Sequence, residues 1–146
     1  MSMPVFGEKV IGKEYQARYA AYIIVSRNEG QEMVLVQAPN GAFFLPGGEI
    51  ENEETKEEAI DREMIEELGV TVDIDCYIGE AQEYFYSRHR DTYYFNPGYF
   101  YCAKSWTKIG EPTETTNQLV WLSPAEAIEQ LKRGSHKWAV EEWLKK

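Results

Sequence analysis

The chain is predicted to fold as one α/β domain, spanning 1–146, in which a mixed β-sheet lies between helices. Three observations predict it. Apolar stretches of strand length alternate with amphipathic helical stretches, without the regular rhythm of a parallel βαβ fold. Between Val70 and Ile78, Val72, Ile74, Cys76 and Ile78 alternate with Thr71, Asp73, Asp75 and Tyr77, the period of a half-buried strand. A length of 146 residues supports one hydrophobic core and is too short for a second.

The elements follow in order. Tyr15 to Val25 is apolar on both faces, which suits a central strand. Asn28-Glu29-Gly30 reads as a turn, and Glu32 to Gln37 as the next strand, after which Phe43 to Leu45 leads on to the glycines at 47 and 48. Thr55 to Leu68 reads as a helix: Ala59, Met64 and Leu68 supply its apolar positions, and no Gly or Pro interrupts it before Gly69. After the strand at 70–78, Gln82 to Tyr86 and Tyr93 to Ala103 pair as a hairpin around Arg88-His89-Arg90-Asp91. Leu119 to Leu122 is a short strand. Ser123-Pro124-Ala125-Glu126 then offers an N-cap, a Pro at N1 and a capping-box Glu at N3, opening a helix to about Arg133. A last helix, Ser135 to Leu144, buries Trp138 or Trp143.

The predicted helix at 55–68 carries the chemistry. Glu63, Glu66 and Glu67 stand at i, i+3 and i+4, so their carboxylates share one face, where like charges repel. Glu57 and Glu58 deepen the negative field. A divalent cation relieves it best. Oxygen donors without His or Cys nearby point to Mg²⁺ or Mn²⁺ rather than zinc. The bland alternative is a solvated acidic face, which is common. Gly47 and Gly48 stand where a strand must turn toward that helix; they permit positive φ and close approach of the backbone to a ligand. A carbonyl there could join a metal shell, and an ordinary Pro-Gly-Gly turn is the other reading. Glu58 lies at i−4 from Arg62, the favourable order for a helical ion pair, and Glu54 is its other natural partner.

Taken together, Gly48, Glu54, Arg62, Glu63, Met64, Glu66, Glu67, Gly69 and Val70 spell G-x5-E-x7-R-E-U-x-E-E-x-G-U, with U apolar. A chance occurrence in a chain this long is on the order of 10⁻⁷ or rarer. The pattern resembles the complete signature of the Nudix hydrolases, the MutT-like family, and Leu45-Pro46-Gly47-Gly48-Glu49 resembles the usual entry into that box. The resemblance implies the Nudix α/β/α sandwich. It also implies Mg²⁺-dependent hydrolysis of a nucleoside diphosphate linked to another moiety, X, by attack of water on the pyrophosphate. On that reading Glu63, Glu66, Glu67 and Gly48 hold the metal, and Glu54, Arg62 and Gly47 support the site. Glu63, Glu66 or Glu114 then serves catalysis, Glu114 because relatives often place a base or extra ligand in the loop before the penultimate strand. Glu111 is an alternative to Glu114, and a plain surface carboxylate is the other reading of either. A dinucleoside polyphosphate hydrolase is one alternative activity. A catalytically silent Nudix module that only binds nucleotides is another.

The remaining composition sets limits. A net charge of −10 argues against a general nucleic-acid binder, which is normally basic. The expected partner is a small nucleotide derivative, with no nucleic-acid polymer and no membrane, the protein being a monomer or homodimer. Cys76 and Cys102 form no CxxC and are expected as buried hydrophobes. Met1 to Gly12 lacks an apolar signal core and no stretch approaches about 18 apolar residues, so a cytoplasmic location is expected. Tyr86, Arg88 and Arg90 are the candidates for substrate contact, as a stacking ring and two cations in an acidic chain; a solvated hairpin tip is the default alternative.

Overall fold

The computed structural model describes residues 3–146. In chain order its elements are β1 (Val5–Phe6), β2 (Gln16–Ala17), β3 (Ala20–Ile24), β4 (Ser26–Arg27), β5 (Glu32–Gln37), β6 (Phe43–Phe44), β7 (Gly47–Glu49), α1 (Lys56–Leu68), β8 (Val70–Ser87), β9 (Thr92–Lys108), β10 (Gln118–Leu122), α2 (Pro124–Gln130) and α3 (Gly134–Leu144). The described strands form two sheets rather than one. A mixed sheet runs β1-β8-β9-β3-β7, with β2 also on β9; an antiparallel sheet runs β10-β5-β4, with β6 on β5. In the mixed sheet β8 and β9 are antiparallel, β3 is parallel to β9, and β7 is antiparallel to β3.

Strand β3 is central, as its two apolar faces require. Ala20, Tyr22 and Ile24 pack with Met33, Leu35, Phe100, Leu131 and Val140, under α2 and α3. Ala21 and Ile23 pack on the other side with Val34, Val36, Ile60, Met64 and Leu68, under α1. Helices therefore cover both faces, giving an α/β/α sandwich. Full burial of each such aliphatic side chain contributes about 1.5–3 kcal/mol, so a polar residue at Ile23 would break the fold at its centre.

Several boundaries differ from the sequence expectation, each for a local reason. The first strand divides into β2 and β3, with Arg18 and the half-exposed Tyr19 between them. Strand β8 runs without a break through Gly79, where a break was expected. The last of three register shifts falls between Tyr77 and Gly79, and the φ of 148° at Gly79 and its closeness to the Trp138 ring let the strand bend without ending. Helix α2 stops at Gln130, short of Arg133, because Lys132 donates its N–H to the Phe43 carbonyl (3.1 Å) and Leu131 bridges Phe43. Trp138 and Trp143 both pack against the core, where only one was expected. Cys76 and Cys102 are not independent buried hydrophobes. They stand opposite each other in the β8–β9 ladder, Cα atoms 5.3 Å apart, and are joined as a disulfide. Facing positions on antiparallel strands bring Cβ atoms within bonding reach, which sequence separation hides.

Candidate active site

Helix α1 is locally determined. Thr55 and Glu58 form a reciprocal capping box, and Gly69 closes the C-terminus in the left-handed region at φ 68°. A capping interaction contributes about 1 kcal/mol, and a glycine at that end avoids the cost of a left-handed side chain. Ala59, Ile60, Met64 and Leu68 are buried, which fixes the helix rotation. The carboxylates of Glu63 and Glu67 are thereby brought against β7, at Gly48 and Gly47.

Arg62 gathers this cluster. Its Nε donates to Glu54 Oε2 (2.7 Å) and its Nη2 to Glu54 Oε1 (3.1 Å), a bidentate pair. Its Nη1 reaches Glu63 Oε1 (3.0 Å) and Glu66 Oε1 (3.2 Å), and Nη2 also donates to the Glu49 carbonyl (2.9 Å). Foremost through Glu54, these bonds hold its pKa above the ordinary arginine range. Glu54 is a partner as expected, whereas Glu58 is not: its carboxylate accepts from the Thr55 N–H in the cap.

Gly47 and Gly48 lie in β7, opposite Tyr22 and Ala21. Gly47 has φ 137° and a Cβ there would strike the Ala21 carbonyl, so only glycine fits. Its N–H donates to Glu67 Oε1 (2.8 Å). Burial pushes the Glu67 carboxyl up to about 8; the Gly47 bond opposes this, while the charges of Glu63, Glu66 and Glu114 add to it. Burial likewise raises Glu63, against the pull of Arg62. Half-buried carboxylates that raise one another's pKa, with oxygen donors only, suit a hard divalent cation. Glu63 and Glu66 turn to Arg62 and Glu67 to Gly47, so among the described residues no three metal-binding side chains converge on one point.

The loop before β10 is tied to the same helix. Ile109 and Gly110 donate to the Gly69 carbonyl (2.9 and 3.2 Å), and Glu114 N–H donates to the Glu66 carbonyl (2.8 Å). Glu114 thus stands beside the carboxylate cluster. Its Oε1 accepts from the Thr116 N–H (2.7 Å) and hydroxyl, which hold its pKa below the usual range. Glu111 is exposed in the same loop.

A cleft of about 410 Å³ opens beside β7, its wall shared by Gly47, Gly48 and Glu67. Arg90 lines it and donates to the Tyr94 hydroxyl (3.4 Å). Tyr86 and Arg88 do not line it. Both are exposed at the β8–β9 hairpin end, where the Tyr86 hydroxyl bonds Asp91. Arg18 and Arg133, absent from the sequence expectation, line the cleft, as do Phe44 and Phe85. The available signal was the scarcity of arginine: six in the chain, three of them here.

A family model described as the NUDIX domain matches residues 16–144. The chain belongs to the Nudix family. Its Nudix box is the segment just built, from Gly48 through α1 to Val70. A "MutT-like protein" of Streptomyces ambofaciens is 39% identical over 56 residues, covering 38% of this chain and 36% of that protein. A "Putative 8-oxo-dGTP diphosphatase" of Bacillus subtilis is 31% identical over 105 residues, covering 71% of this chain and 65% of that protein. The matches thus span about a third and just under two thirds of these relatives' lengths. Solved structures share the Nudix fold. The solution structure of the E. coli ORF135 protein superposes with a TM-score of 0.68 at 21% identity, covering 90% of this chain and 91% of that one. A MutT NUDIX hydrolase from Burkholderia pseudomallei gives a TM-score of 0.63 at 21% identity, covering 87% and 98%.

Proposed function

We propose that this chain, as a single Nudix domain over 1–146, is a Mg²⁺- or Mn²⁺-dependent pyrophosphohydrolase of a small nucleotide derivative. The observation that carries the reading is the carboxylate face of α1, Glu63, Glu66 and Glu67, set against the Gly47-Gly48 backbone at the mouth of a cationic cleft. Such a face is repulsive by itself and is compensated only in part by Arg62. A divalent ion bound there would neutralise the pyrophosphate and lower the pKa of water. Glu63, Glu66, Glu67 and the Gly48 backbone would hold that ion, with Glu54, Arg62 and Gly47 fixing their positions.

The chain's own residues do the rest. Arg62 holds Glu63 and Glu66 together beside Glu54. Glu114 stays ionised beside Glu67 and, with Glu63 and Glu66, is a candidate acceptor of the proton that attacking water must lose. Arg90 lies where it can meet a phosphate at the cleft wall. Among the described residues no helix is long and apolar enough to cross a membrane. The reading includes a cytoplasmic setting, where Cys76 and Cys102 would tend to be kept as thiols.

The test is a panel: (d)NTPs including oxidised guanine forms, ADP-ribose, diadenosine polyphosphates, NADH and sugar nucleotides, each with Mg²⁺ and then with EDTA. The name of the Bacillus subtilis relative is a reason to try oxidised dGTP first. Turnover of one class that EDTA abolishes supports the hydrolase reading and names the substrate. Binding without turnover transfers support to a silent nucleotide-binding module.

A further inference from the structure

The cleft beside the Nudix box holds a cation, Arg133, for which the described residues supply no ion-pair partner. The guanidinium carbon of Arg133 lies 3.4 Å from the centre of the Phe85 ring and 5.4 Å from that of Phe44. A guanidinium stacked in this way keeps its in-plane N–H donors for other partners. Among the described residues Arg133 enters no ion pair. Glu83, the carboxylate whose charge reaches it, uses Oε1 to accept from the N–H (3.0 Å) and hydroxyl (2.7 Å) of Ser135. That contact also occupies the start of α3, so the helix end itself is not the feature in question.

Arg18 lines the same cleft. It donates to the Tyr22 hydroxyl (3.3 Å) and meets Glu49 only at 4.0 Å. Burial pushes the pKa of Arg133 down, with Tyr22 and Glu83 opposing and Arg18 repelling it. Two half-buried guanidinium groups that repel across one cavity are satisfied together only by an anion between them. Among the described residues no lysine lines the cleft, and Glu67 of the box is the one carboxylate that does.

We propose that Arg133, with Arg18, binds a phosphate of the substrate other than the two joined by the cleaved bond. This deepens the hydrolase reading and rests on it only in taking a nucleotide as the ligand. The phosphate can be a further member of the same polyphosphate chain or a separate ester on the sugar. Arg133 would act as a specificity-determining residue, its fork matched to phosphate oxygens and its plane held by Phe85.

The test is calorimetric titration of the full chain in EDTA with ADP, ATP and ADP carrying a 3′-phosphate, repeated for Arg133→Met, Arg133→Lys and Arg18→Met. Wild type should bind one of the two three-phosphate probes about tenfold or more tightly than ADP. ATP as the favoured probe identifies the chain phosphate; the 3′-phosphorylated ADP identifies a separate ester. Arg133→Met and Arg18→Met should erase that gain, and Arg133→Lys should restore part of it, at thermal midpoints near wild type. Equal affinity for all three probes, absence of binding, or a gain that survives Arg133→Met would overturn the proposal. A loss seen equally with ADP would assign Arg133 to the base, the sugar or the pyrophosphate itself instead, which also overturns it. No metal or turnover enters these titrations, so the hydrolase reading and this one stand or fall separately.

Discussion

The carboxylate of Glu63 packs so closely on Gly48 that a Cβ on the glycine would stand 2.6 Å from Glu63 Oε1. The box glycine and the box glutamate are one contact, made across β7 and α1. Gly48→Ala should therefore displace the carboxylate while leaving the fold, because the crowded atom ends a flexible side chain. Turnover is expected to fall about tenfold or more, with a stability loss near 1 kcal/mol. Gly47→Ala should behave differently, since its Cβ would meet backbone at a positive φ. A loss of about 2–5 kcal/mol is expected there. Urea unfolding of both variants beside their turnover checks the contrast.

Arg62 links Glu54, Glu63, Glu66 and the Glu49 carbonyl. Arg62→Ala should lower activity about 10–100-fold, as loss of a residue that orients ligands does, and destabilise by roughly 1–2 kcal/mol at this partly exposed site. Arg62→Lys keeps the charge without the fork and should fall between. Equal kcat for Arg62→Ala and wild type would remove Arg62 from the support of the site.

Glu83 closes the start of α3 from β8, because Arg133 at the N-cap supplies no side-chain bond. Glu83→Ala leaves the buried Ser135 N–H unpaired and should cost about 1–3 kcal/mol; Ser135→Ala removes one bond and should cost about 1 kcal/mol. Thermal or urea unfolding separates the two.

His136 is fully buried, its Nδ1 accepting from the Leu45 N–H (3.1 Å) and its Nε2 without a partner among the described residues. Burial, with Arg133 and Arg18 adding to it, holds its pKa well below the ordinary 6.5. The neutral form is the folded one, so below about pH 6.5 the unfolded chain takes up a proton that the folded chain refuses. Stability should then fall by about 1.4 kcal/mol per pH unit from this group, until the lower folded pKa is reached. The pH dependence of urea unfolding, wild type against His136→Asn, isolates the effect. Parallel curves would contradict it.

The box was legible in the sequence because its information is local. Helical period places Glu63, Glu66 and Glu67 on one face, and Thr55, Met64, Leu68 and Gly69 set the helix that carries them. Arg62 and Glu54 were legible for the same reason. Glu58 was not, since helical spacing gave it reach to Arg62 while a competing cap at Thr55 takes its carboxylate. The cleft was not legible. Arg18, Phe85 and Arg133 come from β3's approach, from β8 and from the turn before α3, and only the packing of β3, β9 and β8 brings them together. The disulfide was hidden likewise, in the register of two strands whose pairing is non-local. Tyr86 and Arg88 were chosen on residue type, and alternation along β8 and the hairpin end turns them outward.

The most direct measurement is turnover of the best substrate in the nucleotide panel, against Mg²⁺ concentration, for wild type and Glu66→Gln. The account predicts a metal-saturable rate in wild type and a loss of at least about a hundredfold in Glu66→Gln at an unchanged thermal midpoint. Unchanged turnover in Glu66→Gln, or a wild-type rate indifferent to EDTA, would contradict it.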